Sequence, residues 1–297
     1  MDNISNISRP LSIVISLAVY VIAFFSAVYT ARLLPEAHIL VRIGMADLVA
    51  TVVVFIFSRI FNNSSMYDPY WSVKPIVIAM AYIWILEINL ITERQAILLT
   101  GVAFYAFRLT TNFYRDWPGL KHEDWRYVNF RMNFPKTYWV ISFLAIHLFP
   151  TIMVYLGCLA MYPVFNDQVI PLNGWDIAGI AVLFGSVILA FTADEQLRIF
   201  RKNPANKGKS IARGLWRYSR HPNYLGEILT WWGLFLFAIA TGPEAWWTII
   251  GPASITLMFI FASIPMIERR HLERRIDYLD YKLSTSMLIP YKLLIKR

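Results

Sequence analysis

Charged residues are scarce in this chain of 297 residues, and cysteine is almost absent. Asp, Glu, Lys and Arg make up 16% of the residues against 57% that are hydrophobic, which is too apolar for a soluble globular protein. The single cysteine, Cys158, excludes an internal disulfide and a cysteine-based metal cluster. No GxGxxG turn occurs, so a nucleotide would bind without a Rossmann unit. The five histidines are scattered without an i, i+4 pair, and we predict no metal site.

The chain is instead dominated by long apolar runs, each near the roughly 17–25 residues that a membrane span requires. They cover residues 11–31, 39–61, 75–91, 95–113, 137–161, 176–197, 224–241 and 246–267. We therefore predict an all-α polytopic transmembrane bundle of about seven or eight spans, forming a single integral membrane domain. Eight is the central count, and seven applies if the short third run is re-entrant. The first run lacks a small-residue cleavage site and is expected to be a retained span.

Basic residues outnumber acidic ones and give a net charge of +9. They collect mainly in the connection between the sixth and seventh runs and in the tail after the last run. Because Lys and Arg accumulate in cytoplasmic loops, we predict that residues 198–222 and the C-terminus are cytoplasmic. Counting back through eight spans places residues 62–74 and 114–136 on the same side. Membrane topology thus explains the positive charge, and we predict no nucleic-acid partner.

Ionisable residues within the apolar runs are candidates for function, because a charge is costly there. They are Asp47, Glu87, Arg108, His147, Asp194, Glu195 and Glu227. Asp194, Arg198 and Arg201 follow i, i+4 and i+7 spacing, which places them on one helical face. This face is typical either of an interfacial salt-bridge ladder or of one side of a phosphate-binding pocket.

Residues 214–227 crowd arginines against the start of an apolar helix. Pro222 suits the first turn of a helix, where no backbone N–H is needed, so the positive end of the helix would face the arginines. Guanidinium groups beside a helix N-terminus favour an anion site at the membrane surface. His221 is interpreted as a hydrogen-bond donor to a ligand, in preference to a base or a metal ligand.

Five motifs together resemble the steroid 5-alpha-reductase-like membrane proteins, a group more distantly related to isoprenylcysteine carboxyl methyltransferases. The motifs are Tyr67 to Ser72, Arg108-Leu109, Glu123 to Tyr127, Arg217 to Glu227 and Thr285 to Pro290. The resemblance covers about residues 60–290 and leaves residues 1–60 as additional N-terminal helices. It implies a cytoplasmic cofactor pocket built from residues 190–230 and the C-terminal tail.

The resemblance further implies that the cofactor is NADPH. Asp194, Arg198 and Arg201 would contact its adenosine and phosphate side, and Asn223 and Glu227 would lie near the nicotinamide. The other residues predicted to bind the cofactor are Arg217, Tyr218, Arg220, His221, Tyr224, Arg270 and Arg274. For Arg270 and Arg274 in the tail, binding of anionic lipid is an equal alternative.

The steroid enzymes use a tyrosine and a glutamate to polarise an enone carbonyl. Tyr105 resembles the tyrosine, and Asp68 falls near the glutamate, shortened by one methylene group. Asp68 alternatively shapes a loop, in which case Glu87 would be the polar group of the cavity. Tyr105 and Asp68 are therefore the predicted catalytic residues.

The leading hypothesis is an NADPH-dependent reductase of a carbon–carbon double bond in a lipophilic substrate that enters from the bilayer. The first alternative is an S-adenosylmethionine-dependent methyltransferase of a lipid or a prenylated cysteine. It requires less positive charge, since that cofactor carries no phosphate. The second alternative is a non-catalytic lipid-binding membrane protein. Membrane lipids are expected partners under all three.

Overall fold

The computed structural model describes residues 7–166 and 170–290 and is all-α. The chain is 79% helical, and the described residues contain no β-strand, only an isolated bridge between Ser219 and Ser286. The α-helices are α1 (Arg9–Leu33), α2 (Ile39–Ile60), α3 (Tyr70–Ile85), α4 (Glu93–Asp116), α5 (Trp125–Asn133), α6 (Tyr138–Ile141), α7 (Phe149–Cys158), α8 (Met161–Asn166), α9 (Gly174–Lys202), α10 (Pro222–Thr241), α11 (Ile250–Met258), α12 (Ile264–Arg274) and α13 (Tyr278–Ser284).

Seven helical segments in the described residues are long and apolar enough to cross a membrane, which confirms the predicted polytopic bundle. They are Arg9–Leu33, Ile39–Ile60, Glu93–Asp116, Tyr138–Cys158, Gly174–Lys202, Pro222–Thr241 and Pro243–Arg274. Two of them contain a π-helical stretch, at Ser142–Leu148 and Phe259–Ser263.

The short third apolar run becomes α3, which has 16 residues and falls below the length of the other spans. The helix ends because the chain turns through a left-handed conformation at Glu87, with φ +51°. Thr92 then starts α4 with a capping box, in which Thr92 and Gln95 satisfy each other's backbone N–H groups. Of the eight apolar runs, seven thus form helical segments of span length in the described residues, and the third forms the shorter α3.

Helices α9 and α10 form the tightest pair in the bundle, because glycines let their backbones approach. A Cβ atom on Gly226 would lie 2.8 Å from the Ser186 carbonyl oxygen. The hydroxyl groups of Ser186 and Thr230 are 2.8 Å apart across the same interface. Small residues and hydroxyl pairs are the usual contacts between membrane helices. This close packing brings the C-terminal half of α9 beside the first turns of α10.

Buried ion pairs fix α3 and α4 in the bundle. At the N-terminal end of α4, Arg94 Nε lies 2.7 Å from Asp176 Oδ1 on α9, and Arg94 Nη2 donates to the Ala240 carbonyl at 3.3 Å. On α3, Lys74 Nζ lies 2.5 Å from Asp47 Oδ2 on α2. Such pairs hold the helices in one arrangement, because separating the partners would leave a buried charge unpaired at a high cost in free energy.

The four segments that were predicted to share one face do meet at one end of the bundle. The Ser64 backbone N–H donates to Glu123 at 2.8 Å, and the Ser210 N–H donates to Asp277 at 2.9 Å. The Arg220 N–H donates to the Ser286 carbonyl at 2.9 Å. We call this the basic end. That it faces the cytoplasm stays a prediction.

Candidate active site

Arg108 lies at the centre of a buried ionic cluster between α4, α9 and α10. Its Nη1 atom is 2.8 Å from Asp194 Oδ2, and its Nη2 atom donates to Glu227 Oε1. The Arg108 side chain is 5% exposed. The planar fork of a guanidinium group can hold two carboxylates in fixed directions, which a lysine cannot do. The cluster therefore joins three predicted spans through one side chain.

Two amides complete the surroundings of Asp194. Asn112 donates to Asp194 Oδ2 at 2.8 Å, and Asn223 donates to Oδ1 at 3.2 Å. We call Arg108, Asn112, Asp194, Asn223 and Glu227 the Arg108 cluster. It opposes one guanidinium group to two carboxylates. Within the described residues, Glu227 Oε2 and Arg108 Nε are buried without a hydrogen-bond partner, so the cluster retains polar capacity for a ligand.

Tyr105 lies one helical turn before Arg108 and is 1% exposed. Its hydroxyl oxygen accepts a hydrogen bond from Trp71 Nε1 at 2.9 Å. The Arg108 guanidinium lies 5.9 Å from the centroid of the Tyr105 ring. The Trp231 ring contacts the Tyr105 ring edge-on, with centroids 6.0 Å apart. The structure thus places the predicted catalytic tyrosine beside the Arg108 cluster, which contains the predicted cofactor residue Glu227.

Asp68 lies in the loop before α3, at the basic end. It accepts a hydrogen bond from the Tyr127 hydroxyl, and Arg126 Nη2 is 3.8 Å from its Oδ1 atom. Burial raises the pKa of Asp68 to about 7, against the opposing charge of Arg126. In the described part of the chain its polar contacts are with α5 and do not include Tyr105. The structure therefore supports the alternative in which Asp68 shapes a loop.

Glu87 does not lie in a cavity, and that part of the prediction is corrected. The residue is exposed and occupies the left-handed turn after α3. Because α3 begins at the basic end and Glu87 follows its last turn, Glu87 lies toward the opposite end from the Arg108 cluster. Its place inside an apolar run suggested burial, but α3 stops before reaching it.

The arginines of α9 separate, although their spacing predicts a common face. Arg198 pairs with Glu195, which also lies 2.8 Å from Arg115. Arg201 instead lines a cavity of about 320 Å³ at the basic end. Lys207, Lys209 and Arg275 line the same cavity, and no carboxylate is among its lining residues. We call it the basic cavity. Arg201 follows Asp194 by seven residues on α9, so the cavity lies about two helical turns from the Arg108 cluster along that helix.

The arginine-rich stretch before α10 is turned largely toward the C-terminal segment. Arg220 Nε lies 2.8 Å from Glu268 Oε1, and His221 Nε2 lies 3.0 Å from the same oxygen. Burial lowers the pKa of His221, against the opposing hydrogen bond with Glu268, so the imidazole is neutral near pH 7. Arg217 and Tyr218 are exposed. In this conformation Arg220 and His221 hold the tail in place.

The remaining predicted cofactor residues lie at the basic end. The Tyr224 ring stacks on the His221 ring with centroids 5.4 Å apart. The Arg270 guanidinium lies 4.0 Å above the Trp125 ring, and its Nη1 atom is buried without a partner in the described residues. Arg274 is exposed. Residues of α5, α10 and α12 thus approach one another at the basic end.

Several site residues were missed by sequence reasoning. They are Asn112 and Trp71, which complete the surroundings of Asp194 and Tyr105, and Lys207, Lys209 and Arg275 of the basic cavity. Helical spacing contained one usable signal, since Asn112 follows Arg108 by four residues and therefore shares its face. The others are brought in by loops and by a separate helix, which spacing does not predict.

The fold and the site define a class of protein. Its members are polytopic helical membrane proteins with a buried guanidinium–carboxylate cluster near the basic end of the bundle. The chain belongs to the family described as Protein of unknown function (DUF1295), whose model matches residues 54–285. It is 27% identical over 256 residues to the Uncharacterized protein C594.04c of Schizosaccharomyces pombe, covering 77% of this chain and 73% of that protein.

A second relative has a named activity. The chain is 28% identical over 159 residues to the 3-oxo-5-alpha-steroid 4-dehydrogenase 1 of Mus musculus, covering 52% of this chain and 57% of the mouse protein. No solved structure matches the chain significantly. The comparisons therefore relate it to a steroid reductase-like membrane protein.

Proposed function

We propose that this protein is a membrane-bound reductase that uses NADPH to reduce a carbon–carbon double bond conjugated to a carbonyl group in a lipophilic substrate. The observation that carries the proposal is the position of Tyr105 beside the Arg108 cluster, since the Arg108 guanidinium lies 5.9 Å from the centroid of the Tyr105 ring and donates to Glu227. The activity in the name of the mouse relative, 3-oxo-5-alpha-steroid 4-dehydrogenase 1, supports the same chemistry.

The basic cavity fits the phosphate groups of NADPH. Four cationic side chains surround about 320 Å³ without a carboxylate among the lining residues. Arginine forms paired hydrogen bonds with phosphate oxygens, and lysine adds a point charge. Arg201 shares α9 with Asp194 of the Arg108 cluster, where the buried Glu227 Oε2 atom would accept a hydrogen bond from a ligand amide. A dinucleotide could therefore extend from the basic cavity toward Glu227.

When bound, NADPH supplies the hydride. The chain's own contribution is position and electrostatics. Negative charge develops on the carbonyl oxygen of an enone as its β carbon receives the hydride, and in this proposal the Tyr105 O–H donates a hydrogen bond to that oxygen. A preorganised donor of this kind commonly contributes a few kcal/mol to catalysis. Because Tyr105 is buried, the substrate must displace neighbouring side chains to reach it.

One observation favours the methyltransferase as a second candidate. The Arg108 cluster carries two carboxylates against one guanidinium, and the excess negative charge would suit the positive sulfonium group of S-adenosylmethionine. The basic cavity argues against it, because that cofactor has no phosphate to neutralise four cations. The two candidates thus differ in which ligand stabilises the protein.

Thermal-shift titration of the detergent-solubilised protein separates these candidates. We expect NADPH to stabilise the protein more than NADH, with about 2.7 kcal/mol gained at 100 times the dissociation constant. Lys207→Gln should weaken NADPH binding and reduce the difference in affinity between NADPH and NADH, because Lys207 lines the basic cavity. Lys136→Gln, at an exposed position on the same end of the bundle, is the matched control.

Stabilisation by S-adenosylmethionine without stabilisation by NADPH would replace the reductase by the methyltransferase. Stabilisation by neither ligand would favour the non-catalytic lipid-binding protein. NADPH oxidation that depends on an added enone, with progesterone as the first probe, then tests the reaction itself.

A further inference from the structure

Trp71 donates a hydrogen bond to the Tyr105 hydroxyl oxygen. It lies at the start of α3, the helix that does not reach span length, and its Nε1 atom is 2.9 Å from the Tyr105 oxygen. Trp71 is half-buried, whereas Tyr105 is fully buried. The contact therefore reaches from the edge of the site to its interior.

The direction of this hydrogen bond constrains the tyrosine. An indole N–H only donates, whereas a phenol both donates one proton and accepts. Because Trp71 donates to the Tyr105 oxygen, the Tyr105 proton cannot point at Trp71 and must be directed elsewhere. The groups on that side are the Arg108 cluster, where Glu227 Oε2 lacks a partner in the described residues, and any ligand acceptor that enters.

The turn of α3 that carries Trp71 is anchored to neighbouring helices. Ser72, its neighbour, shares a hydrogen bond of 2.7 Å with Thr110 on α4. Lys74, one turn later, is paired with Asp47 on α2. The Trp231 ring meets the Trp71 ring edge-on at 6.3 Å. These contacts fix the turn of α3 that carries Trp71, and the Trp231 ring and the Tyr105 oxygen contact the indole itself, so its N–H is held beside Tyr105.

We propose that Trp71 is a positioning residue that directs the Tyr105 proton toward the carbonyl oxygen of the substrate and strengthens Tyr105 as a hydrogen-bond donor. The inference rests on the proposed function, because it requires a substrate acceptor. A hydrogen bond donated into the phenol oxygen stabilises the partial negative charge that this oxygen gains while it donates, as in any polarised chain of hydrogen bonds. Trp71 itself does not touch the substrate carbonyl in this arrangement.

The test uses four variants in the full-length protein with NADPH and progesterone as the probe enone. Trp71→Phe removes the N–H, and 3-benzothienylalanine at position 71 removes it while keeping the shape of the indole. Tyr105→Phe removes the acceptor. Trp231→Phe is the control, because Trp231 contacts both rings without a hydrogen bond to Tyr105.

Both changes at position 71 should lower kcat roughly tenfold, with KM and NADPH affinity changed by less than about twofold. In the Tyr105→Phe background they should have no further effect, because Trp71 acts only through Tyr105. The Trp231→Phe loss should instead persist in that background. Losses at positions 71 and 105 that multiply would show a merely structural role and overturn the inference, as would full activity of the 3-benzothienylalanine protein.

Failure of the proposed function gives a different result. In that case the unmodified protein would neither bind NADPH nor oxidise it with progesterone. The positioning role of Trp71 would then be excluded together with the reductase activity. The ¹⁵N resonance of the Trp71 indole, compared between the unmodified protein and Tyr105→Phe, tests the contact independently of activity. An unchanged resonance would exclude the hydrogen bond.

Discussion

Arg108 carries the polar contacts between three membrane helices, and its two partners make it hard to replace. Asp194 and Glu227 are both mostly buried, with side chains 20% and 10% exposed. Neither carboxylate would keep its charge cheaply in an apolar bundle without the guanidinium group. The same residue thus stabilises the fold and sets the charge of the candidate site.

Arg108→Gln should destabilise the protein by about 3–5 kcal/mol, because it leaves buried carboxylates without their cation. Unfolding of the detergent-solubilised protein by a denaturing detergent measures this loss. Arg198→Gln is the control, since Arg198 is more exposed than Arg108, at 28%, and Glu195 keeps Arg115 as a second partner, so the loss should be small. Equal losses for the two variants would show that the Arg108 cluster contributes nothing to stability.

Asp68 should make stability depend on pH below neutrality. Its ordinary pKa of 3.8 is raised to about 7 in the folded protein, chiefly by burial. Between about pH 4 and pH 7 the folded state therefore holds a proton that the unfolded chain has released, and stability falls as the pH rises through this window. Above the folded pKa the dependence ends.

Thermal unfolding of Asp68→Asn, compared with the unmodified protein across this window, checks the expectation. The difference in stability in favour of the unmodified protein over Asp68→Asn should be largest near pH 4 and should decrease toward pH 7. Asp280→Asn, at an exposed position in α13, should show no such trend. A difference between Asp68→Asn and the unmodified protein that does not vary with pH would contradict it.

At the scale of elements, the end of the last span anchors the C-terminal segment. Glu268 on α12 accepts contacts from Arg220, His221 and Lys282, the last at 2.9 Å from its Oε2 atom. The Ser219–Ser286 bridge lies next to these contacts. One carboxylate therefore connects α12, the stretch before α10 and the end of α13.

Glu268→Gln should loosen α13 without unfolding the bundle. Amide hydrogen exchange of residues 276–288 should become at least roughly tenfold faster, because the buried Arg220 loses a charged hydrogen bond. Mass spectrometry after proteolysis localises the change. Glu273→Gln, exposed on the same helix, is the control. Exchange that is unchanged in both variants would show that Glu268 does not hold the tail.

At the scale of the whole molecule, polar residues divide between the two ends of the bundle. The Arg94–Asp176 pair lies toward one end, and the loops with most lysines and arginines lie at the other. The basic cavity opens at the second end. A water-soluble cofactor would therefore reach the site from the side on which the basic loops lie.

Cysteine labelling tests which side that is. Lys207→Cys and Leu172→Cys are both exposed and should label from opposite faces of the membrane, with position 207 on the cytoplasmic face. The native Cys158 is 1% exposed and should not react. Labelling of both positions from one face would mean that a span has been miscounted.

The sequence by itself determined the class of molecule and much of its plan. Long apolar runs require helices in a membrane, because helices satisfy their own backbone hydrogen bonds. Charge placement also grouped the four segments that meet at the basic end. Motifs carried the resemblance to steroid 5-alpha-reductase-like proteins, and the family match covers residues 54–285 of the chain.

Only the tertiary structure decided which polar groups pair. Helical periodicity assigns a residue to a face of its own helix, but the partner on another helix depends on packing between elements distant in sequence. Asp194 and Arg198 share a predicted face, yet one contacts Arg108 and the other Glu195. Arginine is a residue typical of anion sites, but Arg220 forms an ion pair with Glu268 of α12. These pairings matter for stability because an unpaired charge within the bundle is costly, and the fold determines which partner lies close enough to neutralise it.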